Sequence, residues 1–87
     1  VADRRADDLQ RHAEKWNAAF PGRVVALPGD IRNGDLQASL VSACLERFGT
    51  VDFLVNNAAN QATLPIAEVT PEHWHDVQSV NVEAALY

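Results

Sequence analysis

The sequence predicts an α/β fold: a doubly wound parallel sheet with helices on both faces. Three observations carry the prediction. Short apolar runs alternate with amphipathic helical stretches along the chain, the pattern of right-handed strand–helix–strand crossovers. Those runs do not alternate in polarity, as expected of strands buried on both faces. Each run ends on a polar group, at the sheet edge where open α/β folds bind their ligands.

The elements follow in order. Val1-Ala2 reads as the end of a first strand, with Asp3 just past it. Residues 5–20 predict a helix, because Ala6, Leu9, Ala13, Trp16 and Phe20 keep the three-four spacing of one face. Pro21-Gly22 ends it. Val24–Leu27 is a short buried strand, and Pro28-Gly29-Asp30 turns out of it. Residues 35–48 predict a second helix, with Leu36, Leu40, Val41, Cys44 and Phe48 on one face and Gly49 just past its end. Val51–Val55 is expected to be a third buried strand, followed by a loop through Pro65. Thr70-Pro71-Glu72 opens a third helix, with an N-cap, a proline at the first helical position and an acid in the first turn. That helix runs to the end of the chain. Trp16 and Trp74 are expected to be packing residues, and Cys44 a core residue.

Composition narrows the function classes. The 87 residues are enough for one small domain at most. The formal net charge is −5, with seven Lys and Arg in all. Phosphate neutralisation needs a basic face, so no nucleic-acid partner is expected. An anionic membrane surface is disfavoured for the same reason. No run approaches the roughly 18 apolar residues that span a bilayer. The single Cys44 cannot form an internal disulfide. The charged opening stretch has no secretory pattern, so the expected location is cytoplasmic. His73 and His75 point in different directions on a helix, and no metal site is expected. There is no methionine, and both ends read as cuts through elements, so the expectation is a central piece of a longer protein.

Asn81 stands out on physical grounds. Trp74, Val77, Asn81 and Ala85 share one helical face. An amide on a stripe that otherwise packs inward must find partners, or cost roughly 1–3 kcal/mol. Two readings remain open from the residues alone: an amide that satisfies a helix irregularity, or one that serves chemistry.

Gly29-Asp30-Ile31, Asn56-Asn57-Ala58-Ala59 and Val80-Asn81-Val82, in that order and at these spacings, resemble motifs of the short-chain dehydrogenase/reductase family in its classical form. The resemblance covers essentially all of residues 1–87. It implies a partial Rossmann fold, running from the end of strand 2 to the start of the helix after strand 4. It also implies an oxidoreductase that moves a hydride between NAD(P) and a carbonyl or secondary-alcohol substrate. By that resemblance Asp30 contacts the adenine amino group, and Ile31 and Val80 lie by the adenine. Asn57, Ala58 and Ala59 line the ribose and the approach to the nicotinamide with their backbone, while Asn56 ties down neighbouring backbone. Asn81 matches the Asn of the catalytic tetrad, which holds a water in a proton relay. A homo-oligomer, dimer or tetramer, is implied as well. Gln61, Thr63 and Leu64 follow the asparagine motif, where family members often shape the substrate pocket.

Asp3 bears on cofactor choice. A carboxylate past the second strand accepts hydrogen bonds from the ribose hydroxyls and repels a 2′-phosphate. NAD is therefore the expected cofactor. Arg4 could accept a 2′-phosphate, which keeps NADP as the alternative. Ala59 departs from the family's usual Gly, which adds a methyl near the nicotinamide end. The sequence has no Gly-rich pyrophosphate turn and no Tyr-x-x-x-Lys, and Tyr87 sits too close to Asn81 to be the catalytic tyrosine. These 87 residues by themselves are expected to be inactive and marginally stable. The rival reading is a non-catalytic, Rossmann-type nucleotide-binding module.

Overall fold

A computed structural model describes residues 1–86 of the chain; the expectation placed on Tyr87 lies outside the described residues. The chain divides into two compact units, Val1–Leu54 and the residues from Val55 onward.

The first unit is built on two parallel strands, β1 (Ala2–Asp3) and β2 (Leu27–Pro28), with Ala2 opposite Leu27 and Asp3 opposite Pro28. Pairing extends beyond the strands themselves. The Val1 nitrogen donates to the Val25 carbonyl, Leu27 N–H to the Val1 carbonyl, and Gly29 N–H to the Asp3 carbonyl. In a parallel ladder alternate residues face the neighbour. Pro28, which has no N–H to give, falls between the two donors and costs the ladder nothing. The expected turn therefore begins one residue later than the sequence implies, at Gly29. Gly29 has a positive φ of 154°. A Cβ added there would lie 2.9 Å from Leu36 Cδ2. Glycine lets the next helix pack close to the end of β2.

Two helices complete this unit. Helix α1 spans Ala6–Ala19, with Leu9 and Ala13 buried. Of the two residues expected on the same buried face, Phe20 is 65% exposed and Trp16 40%. Trp16 instead stacks on His12, with ring centroids 5.6 Å apart. The unpredicted anchor is Asn17. Its side chain donates to the Val24 carbonyl at 2.9 Å and accepts from the Val24 N–H at 3.0 Å. An amide side chain thereby satisfies both backbone groups of a residue outside the ladder. Helix α2 spans Gly34–Phe48. Asn33 caps it by accepting from Asp35 N–H, and Gly49 ends it in the left-handed conformation, φ 82°. Leu36, Leu40 and Cys44 are half-buried, whereas Val41 and Phe48 are exposed. Cys44 is not a fully buried core residue; its thiol donates to the Thr50 carbonyl.

The expected strand over Val51–Val55 does not form. The segment has no regular structure and no ladder partner among the described residues, and Phe53 is 89% exposed. A parallel strand exists through its ladder. In the doubly wound order 3-2-1-4 the neighbour of this segment is strand 1, and no run in the sequence supplies it.

The second unit is helical. A 3₁₀ turn at Ile66–Glu68 precedes helix α3, Pro71–Gln78. Thr70 Oγ1 accepts from His73 N–H, and Pro71 occupies the first turn. These are the start signals read from the sequence. The axis then passes through a π-helical turn, Ser79–Glu83, into α4, Ala84–Leu86. Trp74, expected to pack, is mostly exposed.

Candidate functional site

Two carboxylates meet at the C-terminal edge of the two-stranded sheet. Asp3 ends β1, and Asp30 lies two residues past the end of the adjacent β2. Each sits in the same local device. Asp3 accepts from the backbone N–H of Arg5 at 2.8 Å and from its guanidinium at 3.3 Å. Asp30 accepts from the backbone N–H of Arg32 at 2.9 Å and from its guanidinium at 3.0 Å. The repeat Asp-x-Arg folds the chain back on itself after both strands, because a short carboxylate reaches the N–H two residues on. The guanidinium fork closes over the same oxygens.

These bonds favour the ionised acids. The Arg5 side-chain hydrogen bond, then its backbone N–H, holds the Asp3 carboxyl below its ordinary value. The Arg32 side chain and backbone lower the Asp30 carboxyl further, to about 2. Arg4 lies close enough to add a smaller effect on both. The pair thus presents fixed negative charge and acceptor oxygens at neutral pH. Asp30 is the more heavily committed of the two. Ile31 also has its carbonyl engaged, by Gln37 Nε2 at 2.7 Å.

The second unit carries the other candidates. Asn57, Ala58 and Ala59 are exposed and have no regular structure, and Val80 is half-buried. Asn56, expected to tie down neighbouring backbone, finds no partner among the described residues. That task belongs to Asn81. Its Oδ1 accepts from the Asn60 N–H at 2.7 Å, and its Nδ2 donates to the Asn60 carbonyl at 3.0 Å. Both halves of the amide bond to the backbone of one residue. Asn81 also sits inside the π-turn, whose wider ring breaks the regular i→i−4 pattern.

Asn60 is the residue that sequence reasoning missed. Its side-chain Nδ2 donates to Asp76 Oδ2 at 2.8 Å, and its Oδ1 accepts from Ala62 N–H at 3.0 Å. The available signal was an Asn in a loop, a residue type that bonds to the backbone two positions on. The long-range part, across 21 positions to Asn81, has no local signature.

A family model described as short chain dehydrogenase matches residues 1–87. The chain belongs to that family. A short-chain dehydrogenase/reductase of Aspergillus oryzae is 31% identical over 83 residues, covering 94% of this chain and 32% of that protein. An uncharacterized oxidoreductase of Methylorubrum extorquens is 35% identical over 68 residues, 78% of this chain and 27% of the relative. A crystal structure of a short-chain dehydrogenase/reductase from Brucella melitensis, described as a glucose/ribitol dehydrogenase, superposes with a TM-score of 0.75 at 32% identity. It covers 91% of this chain and 34% of that one. The chain therefore spans about a third of the length of the relatives it matches. The architecture is a partial Rossmann fold of the short-chain dehydrogenases.

Other features fall outside the site. An open groove lined by Trp16, Phe20, Val24 and Phe48 lies at the C-terminal ends of α1 and α2, away from Asp3 and Asp30. Among the described residues no group of three or more His, Cys, Asp or Glu could hold a metal ion. Among them, no helix is long and apolar enough to cross a membrane.

Proposed function

We propose that this chain is the central part of an NAD(P)-binding Rossmann domain, in a protein that moves a hydride between NAD(P) and a carbonyl or secondary-alcohol substrate. The supporting observation is Asn81: a family motif residue, set in a π-turn and clamped onto the backbone that follows the Asn57-Ala58-Ala59 segment.

The residues suit the cofactor. The Asp3 carboxylate, ionised and at the end of β1, accepts hydrogen bonds from ribose hydroxyls, and Asp30 and Ile31, just past β2, serve the adenine. Carboxylate oxygens offer about four lone-pair sites, so the arginine bonds leave Asp3 with acceptor capacity. The backbone of Asn57, Ala58 and Ala59 makes no bonds to other described residues, which keeps its polar groups open to a ligand. When bound, the nicotinamide supplies or accepts the hydride. The clamp on Asn60 fixes the orientation of the Asn81 amide, which keeps one N–H and one lone pair with which to hold a water in a proton relay. The acid/base tyrosine and its lysine belong to other parts of the whole protein.

NAD is the preferred cofactor in this reading, NADP the alternative; the protein is cytoplasmic and a dimer or tetramer of identical chains. Titration of the whole enzyme with NADH and NADPH tests it. Asp3→Ala is expected to weaken NADH binding and narrow its advantage over NADPH. An unchanged preference refutes the role of Asp3. Cofactor binding without any turnover of carbonyl substrates refutes the enzyme and favours a binding module.

A further inference from the structure

We infer that Asp76 and Asn60 form a positioning latch for the Gln61–Leu64 loop, and so act on substrate binding in the reaction proposed above. The inference rests on that functional reading and extends it to residues outside the family motifs quoted above.

Four hydrogen bonds converge on Asn60, and they serve three tasks. Asn81 holds its backbone on both sides. Asp76, on α3 and five positions before Asn81, holds its side-chain amide nitrogen. The opposite end of that amide holds the Ala62 N–H. An Asn side chain that donates at one end and accepts at the other has a single orientation. Asp76, acceptor only when ionised, selects that orientation: with the amide reversed, its oxygen would face a carboxylate and its NH₂ would face the Ala62 N–H. The carboxylate on the helix thus sets the direction in which the chain leaves Asn60. The loop it directs, Gln61–Leu64, has no regular structure of its own, so its path depends on such anchors. Asp76 touches neither cofactor nor substrate in this account. It is a positioning residue acting through Asn60.

The experiment uses the whole enzyme and a carbonyl substrate that it reduces. Asp76→Ala removes the acceptor. Asp76→Asn keeps one, with the introduced amide oxygen toward Asn60. Asp76→Ala is expected to raise KM for the carbonyl substrate roughly five- to tenfold, with kcat within about twofold and the NADH dissociation constant unchanged. Asp76→Asn is expected to stay near the parent. Asn60→Asp sets two carboxylates together and is expected to raise KM as Asp76→Ala does. The double exchange, Asn60→Asp with Asp76→Asn, restores the donor–acceptor pair and lowers KM again, which a variant that merely misfolds would not do.

Unchanged KM in Asp76→Ala overturns the latch. So does an Asp76→Asn enzyme as impaired as Asp76→Ala, or a double exchange that fails to recover. A parent that reduces no carbonyl overturns the functional reading instead. The latch is then judged by amide hydrogen exchange at Ala62, which must quicken in Asp76→Ala and not in Asp76→Asn.

Discussion

Replacing Arg32 by alanine should release the Asp30 carboxyl from about 2 part of the way toward its ordinary 3.8. The Arg32 side chain is the largest cause of the depression, and its backbone N–H is the second. The variant keeps the N–H, so recovery is incomplete. Taken at face value the displacement corresponds to roughly 2 kcal/mol. The side chains of Asp30 and Arg32 are 33% and 36% exposed, and solvent screens such a pair to about 0.5–1 kcal/mol. The sign follows from linkage. A carboxyl depressed in the folded state contributes stability above its unfolded value near 4, and loses it as pH falls through 2. The whole protein carrying this segment should therefore lose stability between about pH 4 and pH 2, and Arg32→Ala should flatten that part of the curve. NMR titration of the Asp30 carboxyl reads the first effect, and urea unfolding across that pH range reads the second. An Asp30 that still titrates near 2 without the guanidinium refutes the assignment to Arg32.

Other consequences follow from the packing. Gly29→Ala places a methyl 2.9 Å from Leu36 Cδ2 at a positive φ, so it should cost about 1–3 kcal/mol, read as a lower urea midpoint of the whole enzyme; an unchanged midpoint contradicts the close approach. Asn17→Ala leaves both backbone groups of Val24 without their partner and should cost about 1–3 kcal/mol, with faster exchange of the Val24 amide as the specific sign. The 87-residue polypeptide on its own should melt broadly and bind a hydrophobic dye, because among the described residues Leu9 and Ala13 are the buried apolar ones while Phe53, Leu54 and Val55 are exposed; a sharp two-state melt refutes this.

Local rules accounted for much of the chain. Helix α2 begins and ends where Asn33 and Gly49 allow it, and α3 begins where Thr70 and Pro71 do, because caps and left-handed ends are settled within a few residues. The parallel pairing of β1 with β2 was legible too, from two apolar runs joined by a helix. The motif residues proposed for the candidate site were named from the resemblance to the family. Their partners were not. The Asp30–Arg32 turn spans two positions and follows a local rule, but nothing near Asn60 says that Asn81 will close on it.

The strand at Val51–Val55 shows the boundary most sharply. Apolar β-formers in sequence determine that a segment is suited to a buried strand, and Asn57, Asn81 and the helix caps determine the family and the helix ends. Whether the segment is a strand is decided by a neighbour that can complete its ladder, since a lone strand satisfies none of its backbone groups. Tertiary structure likewise decided that the Asn81 amide closes on Asn60 and that Asp76 joins them. Caps and turns are contracts between residues a few positions apart; ladders and amide clamps join residues about 20 or more apart, and only the folded chain brings those together.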